Sequence, residues 1–469
     1  MHYNLKAEDI KQQTGKLLEF HGKFANFFQT STRSVAPHAL EYMKGQLLLE
    51  SRRNMSQMSV KVVEKDNQAL SHFISNSPWK DEPLVEAVAK DAVNLLCQDG
   101  VHGALILDES GIPKQGEKSV GVARQYCGSL GKVDNCQVGV FLAYSTPTKS
   151  TLIDRRLYLP SEWTDNPDRC KDAGIPEEFQ EFKTKAEQGF EMILEAKKRK
   201  LPSKFVGMDA HYGEQPWLLS KLEGEEIVYM ADIPCNTRVY LEYPEIGIPK
   251  RKGNRGRKPT KRKVLKGQPV EVRELLSSNK FTWQTIKIRD TQRGELWIKF
   301  SALRVWRIEN ELPCSKAVWL LVRQELDGSD VKFSFSNAKK STPIKILAEW
   351  QSRRYFVERA LEDAKGLAGL DEYQVTGWRG WHHHTAIVLL AMLFLLELKL
   401  SLTPNAPMFT LHDAVDILKI VMPRKKLTHG DAAKLIYEKH INRFRSRNCR
   451  LRKQRTWLKN NGVEVDNAM

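Results

Sequence analysis

Apolar residues change their spacing along this chain, and the change divides it into units. Up to about residue 98 they recur every three to four positions. Leu84, Val85, Val88, Ala92, Leu95 and Leu96 follow Pro83 at the interval of one helical face. From residue 104 the pattern becomes short continuous runs. Ala104-Leu105-Ile106-Leu107 reads as a buried strand whose tip presents Asp108-Glu109-Ser110-Gly111. Strand-like runs follow at 135–146 and 152–159, then a charged helical segment at 177–200. Lys204-Phe205-Val206-Gly207-Met208 is a second short run, and it ends in Asp209. Strands, a helix and a further strand predict an α/β fold built on a mixed sheet.

Residues 226–337 read as mostly β. Ile227-Val228-Tyr229-Met230 and the segments 281–288, 296–302 and 318–324 are rich in β-branched and aromatic residues. Pro343 opens a long helix that runs to about Leu367. A tight segment at 369–381 leads into an apolar helix at 384–400, and shorter helices follow Pro404 and Pro407. The expected units are a helical DNA-binding or dimerisation domain (1–98), a first core part (99–225), a β-rich insertion (226–337), a second core part (338–400) and a basic helical C-terminal region (401–469).

Charge then narrows the class. The 469 residues carry 74 Lys and Arg against 57 Asp and Glu, a net charge of +17. Such an excess favours a polyanionic partner, because each neutralised phosphate releases condensed counterions; the bland alternative is a solvated basic surface. Three clusters stand out. Arg52 and Arg53, beside Ser51 and Asn54, could face a DNA groove or serve packing. Residues 250–263, with Arg255, Arg257 and Lys258, form a Gly-, Pro- and cation-rich loop: a phosphate-tracking arm or a linker. Arg443, Arg445, Arg447, Arg450, Arg452, Lys453, Arg455 and Lys459 crowd the last part of the chain.

Seven cysteines, an odd number with no C-x-x-C pair, fit a reducing compartment and neither a disulfide framework nor a zinc ribbon. Residues 386–396 are almost wholly apolar but too short to span a bilayer, and Glu397 and Lys399 follow. A buried core helix, no membrane and a bacterial cytoplasmic, nucleoid-associated location are expected. His382-His383-His384 would chelate poorly, since neighbours on a helix point apart; packing or a DNA-facing role is the better reading.

Two aspartates at the tips of buried strands and one glutamate, Glu358, on a later helix suit one kind of chemistry. Phosphodiester cleavage by two divalent ions, roughly 4 Å apart, needs carboxylates from separate elements, because one strand tip cannot surround both ions. Singly each carboxylate is a weak signal, since most aspartates after an apolar run cap a helix or close a turn.

Several blocks resemble the bacterial insertion-sequence transposases of the DDE class. They are Leu107-Asp108-Glu109-Ser110-Gly111-Ile112-Pro113-Lys114-Gln115-Gly116, the stretch 131–140, Arg155-Arg156-Leu157-Tyr158-Leu159-Pro160-Ser161-Glu162-Trp163, and Asp209-Ala210-His211-Tyr212-Gly213. Arg354, Glu358 and Lys365 reproduce the R, E and K spacing of that group's Y-R-E-K signature, followed by matching residues at 369–375 and 378–381. The signature tyrosine falls at position 351, which is Gln351 here, and Thr376 stands where a basic residue is expected.

The resemblance covers roughly residues 100–400. It implies an RNase H-like mixed-sheet core interrupted by the β-rich insertion, with Asp108, Asp209 and Glu358 as catalytic, metal-binding residues. It implies two Mg²⁺ ions, with Mn²⁺ as the alternative. The partners implied are double-stranded DNA, as terminal inverted repeats and target, and a homodimer or larger synaptic complex. Arg354 and Lys365 fall near the face of Glu358 and would grip phosphates, unless they serve as ordinary helix ion pairs. Lys114 could meet a phosphate or lie solvated in a turn. Glu109 could assist Asp108, although adjacent strand residues face opposite ways. Trp283, Trp297, Trp306 and Trp319 read mostly as core, with one of them able to stack on a displaced base. The rival readings are a transposase-derived DNA-binding regulator without cleavage and a host metallonuclease.

Overall fold

The computed structural model describes residues 3–63, 65–97, 103–250, 258–291, 294–422 and 428–460. Six helices come first: α1 (Ala7–Lys11), α2 (Lys16–Phe24), α3 (Ala36–Leu48), α4 (Met55–Lys61), α5 (Asn67–Ser75) and α6 (Asp81–Leu96). Then come β1 (Gly103–Pro113), β2 (Ala123–Cys127), β3 (Lys132–Ser145) and β4 (Ser150–Leu157). Helices α7 (Ser161–Thr164), α8 (Pro167–Asp172) and α9 (Lys185–Lys198) lead to β5 (Ser203–Met208), α10 (Ala210–Gly213), α11 (Pro216–Gly224) and β6 (Tyr229–Ile233).

The β-rich stretch holds β7 (Arg238–Tyr240), β8 (Glu245–Gly247), β9 (Lys263–Lys266), β10 (Val270–Glu271), β11 (Gln284–Thr291), β12 (Gly294–Glu309), β13 (Leu312–Pro313), β14 (Val318–Glu325) and β15 (Val331–Ser336). The described chain closes with α12 (Ile344–Gln351), α13 (Tyr355–Ala368), α14 (Trp378–Leu402), α15 (Leu411–Val421) and α16 (His429–Asn460).

One mixed α/β sheet of thirteen strands organises the molecule, in the order β10-β7-β12-β14-β15-β6-β5-β1-β3-β2. Strand β4 also pairs with β3, and β11 and β13 pair with β12. Strand β1 runs antiparallel to β3 and parallel to β5, and β5 runs parallel to β6. Most strands of residues 226–337 continue the same sheet through the antiparallel β6–β15 pair, while β8 and β9 pair with each other as a separate two-stranded sheet. Strand β1 is buried along nearly its whole length, as expected of a strand covered on both faces.

Helix α14 is the central beam. Its residues from His383 to Leu396 are all buried, against α3, α5, α6, α13 and α15. It is long and apolar enough to cross a membrane, but 78% of its most apolar stretch is covered by the protein itself. It starts at Trp378, not near residue 384, so the three histidines are part of it.

Other expectations also shift. The helix of segment 177–200 begins only at Lys185. Thr184 and Glu187 form a reciprocal capping box there, which satisfies the first orphan amides. The last helix, α16, is 32 residues long rather than one of several short ones. The helix expected from Pro343 to Leu367 is interrupted by a 3₁₀ turn at Ser352–Arg354. The Ser352 hydroxyl donates to the Ala348 carbonyl four residues back, a bond that bends helices. The turn sends Arg353 into the core, with Nη1 near the Ser145 carbonyl, and aims Arg354 at Asp108 of β1 and Asp232 of β6.

Candidate active site

Strand register builds the site. Leu107 of β1 lies beside Met208 of β5, and Met208 lies beside Ala231 of β6. The next residue along each is an aspartate: Asp108 in the middle of β1, which runs on to Pro113 instead of ending at the carboxylate as expected, Asp209 just past the end of β5, and Asp232 in β6. Residues side by side on parallel strands share a face, so three carboxylates stand in a row. Asp232 is a member of the cluster that sequence reasoning misses. A signal for it exists, because Tyr229-Met230-Ala231 is another short apolar run capped by an aspartate.

Each aspartate is fixed differently. Asp108 Oδ1 accepts from the Glu109 backbone N–H at 2.8 Å. Asp209 is the N-cap of α10, and its Oδ1 accepts from His211 N–H at 3.0 Å and Tyr212 N–H at 3.4 Å. Helix capping, its commonplace reading, is thus part of its role. Asp232 Oδ1 accepts from the Ser334 hydroxyl at 2.6 Å. Gly213, at the end of α10, packs directly on the backbone of β6. A Cβ there would overlap the Asp232 carbonyl oxygen, so only glycine lets the Asp209 turn sit this close to β6.

Arg354 ties the row to the helix. Its Nε donates to Asp232 Oδ2 at 3.1 Å, its Nη2 lies 2.6 Å from Glu358 Oε1, and its Nη1 lies 3.6 Å from Asp108 Oδ2. Glu358 stands in the first turn of α13, where the positive end of the helix dipole favours a carboxylate. The planar fork of arginine can serve three carboxylates at once; a lysine could not.

The cluster holds more negative charge than it neutralises. Burial, aided by the Asp209 charge, pushes the Asp108 carboxyl up to about 7. Burial also raises the pKa values of Asp209 and Asp232, with Arg354 opposing in both. Burial works against the Arg354 charge, yet Asp232, Glu358, Asp108 and Asp209 together hold its pKa above the ordinary value. Glu109 points away from Asp108 and forms an ion pair with Lys185 at 2.6 Å.

A divalent cation suits this donor set: hard oxygen ligands, three of them side by side on adjacent strands or just past a strand end, with carboxyl groups held up by burial and neighbouring charge. Among the described residues no group of three His, Cys, Asp or Glu is drawn together tightly enough to hold a metal as it stands. The Arg354 guanidinium bonds two of the would-be ligands, and Glu358, half-exposed, would have to leave it. Of the cluster, Asp108, Asp209 and Glu358 are the carboxylates that could turn to a cation, since both oxygens of Asp232 are bonded.

The remaining candidates fall into place unevenly. Arg53 is a correction: it is buried, with Nη1 at 2.5 Å from Glu372 Oε1, Nη2 donating to the Gly366 carbonyl and Nε to the Gln46 carbonyl. All three nitrogens are spent on internal partners, which leaves it no part in gripping phosphate. Arg52 is exposed, in a left-handed backbone conformation. Lys114 is a second correction. It stacks over the Tyr373 ring at 3.7 Å and donates to the Tyr373 carbonyl, and burial pushes its pKa down to about 8. Lys365 lies half-buried on α13, two turns beyond Glu358. Lys258 is exposed, whereas Arg255 and Arg257 lie outside the described residues.

The three histidines pack. The His383 ring lies between the Ile74 and Trp79 carbonyls, 2.9 and 3.0 Å from its two nitrogens, and can donate to one of them when neutral; His384 meets the Tyr42 hydroxyl at 2.9 Å. None of the four tryptophans is fully buried: Trp283 and Trp297 are exposed, Trp306 is half-buried, and Trp319 is half-buried with its ring packed against the core.

Comparison with known proteins identifies the family. The family described as DDE superfamily endonuclease matches residues 24–295, a span that contains Asp108, Asp209 and Asp232 and ends before Glu358. The chain is 25% identical over 344 residues to a probable transposase for insertion sequence element IS701 of Microchaete diplosiphon, covering 72% of this chain and 77% of that protein. Among solved structures, a piggyBac transposase synaptic complex with hairpin DNA aligns over 88% of this chain and 77% of that one, at 9% identity and a TM-score of 0.39.

Proposed function

The chain belongs to the DDE superfamily of endonucleases, and we infer that it is a DNA transposase of that family, cutting and joining phosphodiester bonds at the ends of an insertion sequence. The observation that carries the reading is that Arg354 reaches both Asp108, on the strand beside Asp209, and Glu358, on α13. The core is RNase H-like in this reading. Support comes from the order β4-β3-β1-β5-β6, with β3 antiparallel to both β1 and β4, and with β5 and β6 parallel to β1.

The cofactor is a pair of Mg²⁺ ions, with Mn²⁺ as the alternative, held by Asp108 and Asp209 with Glu358 completing the second site. When bound they supply Lewis-acid stabilisation of the attacking and leaving oxygens. The chain's own residues do the rest. Asp108 gives up its proton near neutrality to become a ligand. Asp209 keeps its orientation through the α10 amides. The Arg354 guanidinium, once parted from Glu358, presents two nitrogens to a non-bridging phosphate oxygen, and Lys365 adds charge farther along the same face. Catalysis is then mostly positioning and electrostatic stabilisation, with no covalent protein intermediate. The substrates are double-stranded terminal inverted repeats and target DNA, brought together by a homodimer or larger synaptic complex.

The test is an assay with labelled element ends, a supercoiled plasmid and Mg²⁺. Ends cut at the element boundary and then joined to the plasmid are expected. Cutting of any duplex without joining would make the protein a host metallonuclease, and binding without cutting would make it a DNA-binding regulator.

A further inference from the structure

Asp232 is the one carboxylate of the cluster whose bonds all point away from metal chemistry. Its Oδ2 accepts from Arg354 Nε at 3.1 Å and its Oδ1 from the Ser334 hydroxyl at 2.6 Å. The Ser334 oxygen in turn accepts from Gln351 Nε2 at 2.7 Å. Ser334 and Gln351 are both buried, so this chain of bonds is shielded from water and holds a single geometry. Gln351 stands where the resemblance expects a tyrosine. It points inward to Ser334 and belongs to the support of the site.

The three carboxylates on Arg354 are not equivalent. Glu358 is half-exposed on a helix, and Asp108 is a candidate ligand at 3.6 Å. Asp232 is bonded on the Nε side and is only 16% exposed. A guanidinium gripped at Nε leaves its two Nη groups pointing at the site. We propose that Asp232 is a positioning residue for Arg354, built on the Gln351–Ser334 bonds, which holds the guanidinium at the catalytic carboxylates while Asp108 and Glu358 exchange it for metal. This rests on the metal-binding reading given above. Without the Asp232 charge, Arg354 has only Asp108 and Glu358 as counter-ions and competes with the cation for them.

The test uses Mn²⁺ alone, titrated into the full-length protein and followed by loss of the free-ion electron paramagnetic resonance signal. Asp232→Asn keeps the shape and removes the charge. Ser334→Ala keeps the charge and removes two bonds, the one to Asp232 and the one from Gln351. Expected is a rise of about tenfold in the Mn²⁺ concentration for half-saturation in Asp232→Asn, corresponding to about 1.4 kcal/mol. A smaller rise is expected in Ser334→Ala, and recovery towards wild type in Asp232→Glu. End-cleavage kcat should fall in Asp232→Asn while its KM for DNA holds. Wild-type midpoints in folded Asp232→Asn and Ser334→Ala would overturn the assignment with the metal reading intact. Absence of Mn²⁺ uptake by the wild type would remove both. If Asp232→Asn does not fold, Ser334→Ala decides alone.

Discussion

Arg354 and Glu358 are ion-paired at 2.6 Å across one helical turn, and the same guanidinium reaches Asp108 and Asp232 on two strands. A cation of the protein therefore neutralises the carboxylates that metal ions are expected to neutralise. Removing it with Arg354→Ala leaves Asp232 and Asp108 buried without the cation that pairs with them. The expected cost is about 3–5 kcal/mol in chelator-treated protein, measured by urea denaturation. Millimolar Mg²⁺ should restore much of that loss, since it supplies the missing charge. A variant as stable as wild type without metal would show that the cluster does not depend on Arg354.

Gly213 is where the Asp209 turn meets β6. A Cβ there collides with backbone rather than a flexible side chain, so relief requires α10 to move. Gly213→Ala should destabilise the protein by about 1–3 kcal/mol and reduce end cleavage more than end binding, because Asp209 moves with α10. Unchanged cleavage with unchanged melting would mean the strand spacing adapts freely.

Two sets of buried groups give pH effects of opposite sign. Burial lowers His21, His382 and His383 to about 4 and His384 to about 3. Their contribution is fully present above the ordinary histidine range near pH 6.5 and is lost as pH falls through those lowered values. Asp108 acts in reverse. Its contribution is present below the ordinary carboxyl range and is lost as pH rises through about 7. Thermal melts of metal-free protein should separate them by difference. His384→Gln should lose less stability than wild type on acidification, and Asp108→Asn should gain on wild type as pH rises to about 8. Parallel curves for Asp108→Asn and wild type would contradict the raised Asp108 value.

Arg53 is bound to Glu372 and to two carbonyls, so its charge serves the fold. Arg53→Ala should lower stability by about 3–5 kcal/mol and leave the salt dependence of DNA binding unchanged. A shallower salt slope would return Arg53 to the phosphate-contacting residues.

The pattern of apolar runs followed by carboxylates marks Asp108 and Asp209 in the sequence itself, because strand burial is a local property, although β1 runs on past Asp108 to Pro113 through its pairing with β3. The same pattern marks Asp232, but in a stretch that reads as an insertion and so apart from the core. Only the pairing of β6 with β5 puts it beside Asp209. Arg53 and Lys114 show the opposite failure. Their charges are plain in the sequence, while the partners that bury them, Glu372 and Tyr373, lie 319 and 259 residues away. The break before α13 is hidden for another reason. Helical spacing continues through Ser352–Arg354, and the back-bond from Ser352 is a tertiary choice that propensity does not reveal.

The central claim is that Asp108, Asp209 and Glu358 act as one site. Strand-specific cleavage of an element end with Mg²⁺ tests it most directly, comparing wild type with Asp209→Asn, Glu358→Gln and Glu362→Gln. Glu362 lies one turn beyond Glu358, is 71% exposed and pairs only with Arg359 among the described residues. Loss of cleavage of at least about 100-fold in the first two variants, with DNA binding kept and Glu362→Gln cutting like wild type, is the expected result. Wild-type cleavage by Glu358→Gln or Asp209→Asn would contradict the three-carboxylate site.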